Sequence, residues 1–189
     1  MTPLTEIAQT LVRSVLRPGD VAIDATVGNG FDTQFLAECV GPKGKVYGFD
    51  IQPVALQTTS KRLDAAGLRH VTLFLHDHAD MCQSIPQGDQ AAAIMWNLGY
   101  LPGGDKRLKT NLNSTLPAIH RALPLLAHGG IMTVVAYTGH AGGADEAHCV
   151  AALLKELASG EYRFSEPSPV VDRIDPPRLF VVRRDLAAP

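Results

Sequence analysis

The segment "DATVGNGFDT" brings Asp24, Gly28, Asn29, Gly30, Asp32 and Thr33 within a single turn of chain. Two closely spaced glycines permit backbone angles that a side chain would penalise, and they let a ligand approach the main chain. The helix expected to follow offers N–H groups that favour a negative group such as a carboxylate. Asp24, just before the turn, can meet a cationic amine. A dinucleotide fingerprint would read GxGxxG, whereas "GNGFDT" has Thr33 where the third glycine should stand. A ligand with both an amine and a carboxylate therefore fits better than a pyrophosphate. Further on, Asp50 closes the run "VYGFD" at a position where an acid can hold ribose hydroxyls, and Ile51 and Gln52 can flank a base. "HDHAD" offers Asp77 and His78 to the edge of that base. An amino acid joined to an adenosine satisfies all three segments, and S-adenosylmethionine is such a molecule.

A second group of residues suits chemistry at the far end of such a ligand. In "MWNLGYLPGGDK" an Asn side-chain oxygen can accept hydrogen bonds from an amine, and an aromatic face can pack on a flat base. N-methyltransferases carry an (Asp/Asn)-Pro-Pro-(Tyr/Phe) motif at this place, which Asn97, Leu98, Gly99 and Tyr100 resemble loosely, without the prolines. Asp105 and His140 are candidates to attract or remove the amine proton. Lys106, Arg107 and Lys109 read either as a patch for nucleic-acid phosphates or as a solvated face.

Positioning these residues requires strand ends at regular intervals. Apolar residues from Leu4 to Val15 recur at helical spacing until "RPGD" stops them. Short apolar runs then alternate with helical stretches. Strands are expected in "VAIDATV", "KVYGFD", "VTLFLH", "AAAIMWNLG" and "IMTVVAY". Helices are expected near 32–39, 53–66, 110–126 and 144–157, with a short one near Asp80. The alternation predicts a doubly wound α/β domain spanning 1–189, with a parallel sheet covered on both faces. "YRFSEPSPV" and "RLFVVRRDL" have no helix between them and should form an antiparallel C-terminal hairpin. The result would be a seven-stranded mixed sheet of the Rossmann-like class I methyltransferase plan, its seventh strand antiparallel beside the fifth.

Composition sets bounds on this reading. Of the 189 residues 46% are apolar and 19% charged, as in an ordinary globular chain. The N-terminal segment lacks an export pattern, so the cytoplasm is the expected location. The three cysteines form no CxxC pair and the seven histidines show no ligand spacing, so no metal is expected. A net charge of −2 gives no global footprint for a polyanion. Composition leaves a homodimer open.

Taken in order, "DATVGNGFDT", "FDIQ", "NLGYLPGGDK", "YTGHAGG" and "DPP" resemble the YtqB-like rRNA methylase family, also called MnmM, from about Val21 to Val182. The resemblance implies a class I fold, S-adenosylmethionine as cofactor and the tRNA anticodon stem-loop as partner. The implied activity is methylation of the 5-aminomethyl amine of the wobble uridine, giving a 5-methylaminomethyl uridine, usually 2-thiolated. Thr138 departs from the family, which often has His there, while His140 remains. Two other readings share the fold: an N-methyltransferase of a small-molecule amine, and a nicotinamide-dependent oxidoreductase.

Overall fold

The computed structural model describes residues 3–105, 107–167 and 176–187. Helix α1 (Leu4–Arg13) precedes β1 (Val21–Asp24), α2 (Phe31–Val40), β2 (Lys45–Asp50), α3 (Pro53–Ala65) and β3 (Val71–Leu75). A 3-10 turn (His78–Asp80) leads into the short α4 (Met81–Ser84), then β4 (Ala91–Leu98) and α5 (Leu112–Ala122). After a second 3-10 turn (Leu123–Leu125) come β5 (Leu126–Ala136), α6 (Gly143–Leu157), β6 (Tyr162–Ser165) and β7 (Arg178–Arg184).

The seven strands form one sheet in the order β3-β2-β1-β4-β5-β7-β6. The first five strands run parallel, while β7 lies antiparallel to both β5 and β6. The expected alternation and C-terminal pairing are therefore present, with β7 inserted between β5 and β6. Strand order reverses between β1 and β4, and there the carboxyl ends of the strands open the crevice in which ligands of such sheets lie.

Covering both faces explains the sequence of the central strand. In β4, Ala93 and Met95 point to the layer holding Val12 of α1 and Leu36 of α2, while Ile94 and Trp96 face Ile119 of α5 and Val150 of α6. A strand buried on both sides reads as a continuous apolar run rather than an alternating one. Element ends differ from expectation for local reasons. The α5 helix stops at Ala122 because Pro124 supplies no N–H, and the chain tightens into the 3-10 turn. β5 begins at Leu126 rather than Ile131, because Leu126 pairs with Ala91 before a register shift. β6 ends at Ser165, and the remainder of "YRFSEPSPV" runs into residues outside the described set.

Candidate functional site

The turn after β1 is tied directly to the end of β2. Asp50 accepts the Gly28 N–H on Oδ2 at 2.8 Å and the Gln52 N–H on Oδ1 at 2.9 Å. Both oxygens are thereby aimed by backbone donors, and the glycine turn cannot move without the acid. Gly28, Asp50, Ile51, Gln52, Asp77 and His78 line one cavity at the strand ends. Asp77 Oδ1 accepts the Ala79 N–H at 2.9 Å and caps the 3-10 turn. His78 is only 7% exposed, and burial lowers its pKa below the ordinary value, so it is a neutral ring in the cavity wall. His76, which the sequence reading passed over, lines the same cavity.

A second cavity opens on the other side of the glycine turn. Asn29, Asp32, Tyr137 and His140 line it, together with Gln9 from α1. The two cavities share Thr26, Gly28, Asn97, Gly99, Tyr100 and Pro102. At this junction Asn97 donates its backbone N–H to Thr26 Oγ1 at 2.7 Å and its side-chain Nδ2 to Asp32 Oδ2 at 2.6 Å. The Tyr100 ring meets His140 edge-on, with centroids 6.0 Å apart and planes at 73°. His140 Nε2 is buried with no hydrogen-bond partner among the described residues. Asn29 reaches across to the Pro102 carbonyl at 3.4 Å.

Four candidates do not reach either cavity. Asp24 is fully buried; Oδ1 accepts the Thr26 N–H at 3.1 Å and Oδ2 the Thr33 hydroxyl at 2.6 Å. Both residues are fully buried away from the two cavities, and the Thr33 hydroxyl is committed to Asp24. Burial, aided by the nearby charge of Asp32, raises the Asp24 pKa from 3.8 to about 7. Gly30 has φ 78° at the start of α2, and a Cβ there would lie 2.5 Å from Thr59 Oγ1. That glycine is required by the packing of α3 behind the turn. Asp105 is held by Arg107 through three side-chain contacts of 2.7–3.0 Å, and this pair keeps its carboxyl below the ordinary range. An acid so paired on the surface is a poor proton acceptor. Lys106 and Asp175 of the "DPP" segment lie outside the described residues. Among the described residues no cluster of three or more His, Cys, Asp or Glu side chains could hold a metal.

Comparison with known proteins adds to this geometry. Residues 46–183 match the model of the family described as "Putative rRNA methylase". The chain belongs to this family. It is 35% identical over 96% of its length to a tRNA (mnm(5)s(2)U34)-methyltransferase of Arabidopsis thaliana chloroplasts, covering 69% of that protein. A crystal structure of an rRNA-methylase family protein from Clostridium thermocellum superposes with a TM-score of 0.92 at 35% identity, covering 97% of this chain and 98% of the other. A methyltransferase structure from Streptococcus mutans, in complex with SAH, gives 0.86 at 31% identity, covering 97% and 99%. The family's methyltransferase plan agrees with the strand order described above.

Proposed function

We propose that this protein transfers a methyl group from S-adenosylmethionine to the primary amine of 5-aminomethyl uridine at the tRNA wobble position, giving 5-methylaminomethyl uridine, with or without 2-thiolation. The observation that carries the reading is the meeting of two cavities at Asn97 and Tyr100. One cavity suits a nucleoside: Asp50 presents an oriented carboxylate to ribose hydroxyls, Ile51 is an apolar wall, and Asp77 stands at the base edge. Thr26 and Gly28 of the glycine turn line its inner end, where a residue without a side chain lets the amino-acid part of a ligand approach the main chain. These residues fit S-adenosylmethionine. Bound there, it supplies a methyl group on a sulfonium, whose transfer to an amine needs no covalent enzyme intermediate.

The protein's own share is placement. Asn97 accepts a hydrogen bond from the substrate amine and aims its lone pair. Tyr100 packs on the pyrimidine, and His140, on the wall of the second cavity, is the group placed to receive the proton that leaves the nitrogen. Holding two reactants in line supplies on the order of 7–11 kcal/mol, against about 10²–10⁴-fold for a general base. The tRNA named for the Arabidopsis relative, and the methyltransferase names of the others, favour this substrate over a small-molecule amine and over hydride transfer. The same reading makes 1–189 one catalytic domain, acting in the cytoplasm on the anticodon stem-loop, as monomer or homodimer.

Mass spectrometry of nucleosides tests it. Incubation with S-adenosylmethionine and tRNA carrying 5-aminomethyl uridine should convert that nucleoside to its methylamino form. Unconverted nucleoside, with methylation of a free small amine instead, would move the substrate assignment away from tRNA.

A further inference from the structure

Asp32 departs from the role its place in the glycine segment suggested. It is only 7% exposed, yet it lines the second cavity, and each of its oxygens receives a side-chain amide: Gln9 Nε2 on Oδ1 and Asn97 Nδ2 on Oδ2, both at 2.6 Å. An Asn side chain can present either its oxygen or its NH2, and nothing in its shape selects between them. A carboxylate oxygen offers only lone pairs here, so Asp32 takes the NH2 end of Asn97. The Asn97 oxygen is left as the end available to a ligand. A reversed amide would turn two donors toward an amine that itself needs an acceptor. Gln9, on α1, fills the second oxygen of Asp32 and fixes the rotamer of the carboxylate. Contacts of this length to a charged group are the stronger class of hydrogen bond.

We propose that Gln9 and Asp32 are positioning residues for the methyl transfer, forming a relay from α1 through α2 that locks the Asn97 amide with its oxygen toward the substrate amine. The inference rests on the amine-methylation reading for its consequence, but not for its geometry. The relay also gives α1 a part in the site, although α1 contributes nothing to the glycine turn or the strand ends.

The test uses paired variants with two independent readouts. Asp32→Ala should lower the single-turnover methylation rate by about tenfold or more, as expected for losing a charge-assisted bond that orients a reacting group. Affinity for S-adenosylhomocysteine, measured by calorimetry, should change less than about threefold, since the nucleoside cavity does not include Asp32. Gln9→Ala should give a smaller fall in the same rate. The exchange Asp32→Asn with Asn97→Asp rebuilds the relay with donor and acceptor swapped. Asn at 32 donates to Asp at 97, whose second oxygen faces the substrate, and its own oxygen still accepts from Gln9. The double variant should therefore recover rate relative to Asn97→Asp alone, where two carboxylates face each other. Independently of any substrate, the Asn97 side-chain NH2 resonances in the parent should be shifted by the carboxylate and lose that shift in Asp32→Ala. If those resonances do not respond, or the exchange recovers nothing while both proteins bind S-adenosylhomocysteine, the relay is wrong. A parent that shows the resonance shift but does not methylate 5-aminomethyl uridine would leave the relay standing and overturn the substrate assignment.

Discussion

Buried carboxylates at this site do different work according to their partners. Asp24 holds its proton to about pH 7 when folded, against 3.8 for a carboxyl free in water. The native state therefore binds more protons than the unfolded state between those values, and stability falls as pH rises through that window, by up to about 1.4 kcal/mol per unit. Asp24→Asn should remove this slope. Its oxygen can keep the Thr26 N–H, and its NH2 can donate to the Thr33 hydroxyl, which turns to accept. Urea unfolding at several pH values should show the variant gaining on the parent from pH 4 to pH 7; parallel curves would show that Asp24 ionises normally. Asp50 differs because two backbone N–H groups hold it on the cavity rim. Asp50→Ala should weaken S-adenosylmethionine binding at least about tenfold by calorimetry, the size of a lost charge-assisted bond. Normal affinity in a folded Asp50→Ala protein would take that acid out of the ribose site.

At the scale of elements, the two glycines of one turn serve different neighbours. Gly28 has φ 53° and space for a Cβ, its nearest contact being Leu101 Cδ1 at 3.6 Å. Gly30 combines φ 78° with a collision against Thr59 of α3. Gly28→Ala should cost only about 1–2 kcal/mol of left-handed strain while narrowing the cavity junction, whereas Gly30→Ala should add an overpacking cost of about 1–3 kcal/mol. Chemical denaturation separates them, and equal losses would contradict the assignment of Gly30 to α2–α3 packing. Sequence spacing could not distinguish these glycines, because the difference lies in what α3 brings behind the turn. The strand ends and the Asn97 loop were legible because strand periodicity and turn residues are local signals. Asp24, Thr33 and Asp105 lie outside the cavities because groups only two to nine residues away hold them: the Thr26 N–H and the Thr33 hydroxyl on Asp24, and the Arg107 guanidinium on Asp105. Gln9 was invisible for the opposite reason: it acts on Asp32 across a separation of 23 residues, and an amphipathic helix gives no sign of which polar residue turns inward.

For the whole molecule, the difficulty is how a chain of net charge −2 holds a polyanion. The basic triplet near Lys109 supplies less than its composition suggests. Arg107 is neutralised by Asp105, and Lys109 Nζ donates to the Ala141 carbonyl, drawing the Asn97 loop toward the His140 loop. Arg62 is also committed, its guanidinium 3.9 Å over the Phe31 ring and its Nε on the Asn29 carbonyl at 2.9 Å. That pairing nonetheless leaves Phe31 63% exposed at the mouth of the second cavity, an aromatic platform backed by a cation. Recognition built this way depends on stacking and on the cavity more than on phosphate neutralisation. The affinity for tRNA should therefore fall with salt along a shallow log–log slope, about −1 to −3, where a protein making 6–10 phosphate contacts to a duplex shows roughly −5 to −9. Phe31→Ala should weaken binding by about 1–3 kcal/mol at every salt concentration, leaving the slope unchanged, because a stacking contact releases no counterions. Arg62→Ala should weaken binding and flatten the slope by about one unit or less. Filter binding of tRNA across a salt series measures all three. A steep slope in the parent would mean that a basic surface, rather than the aromatic mouth of the cavity, captures the RNA.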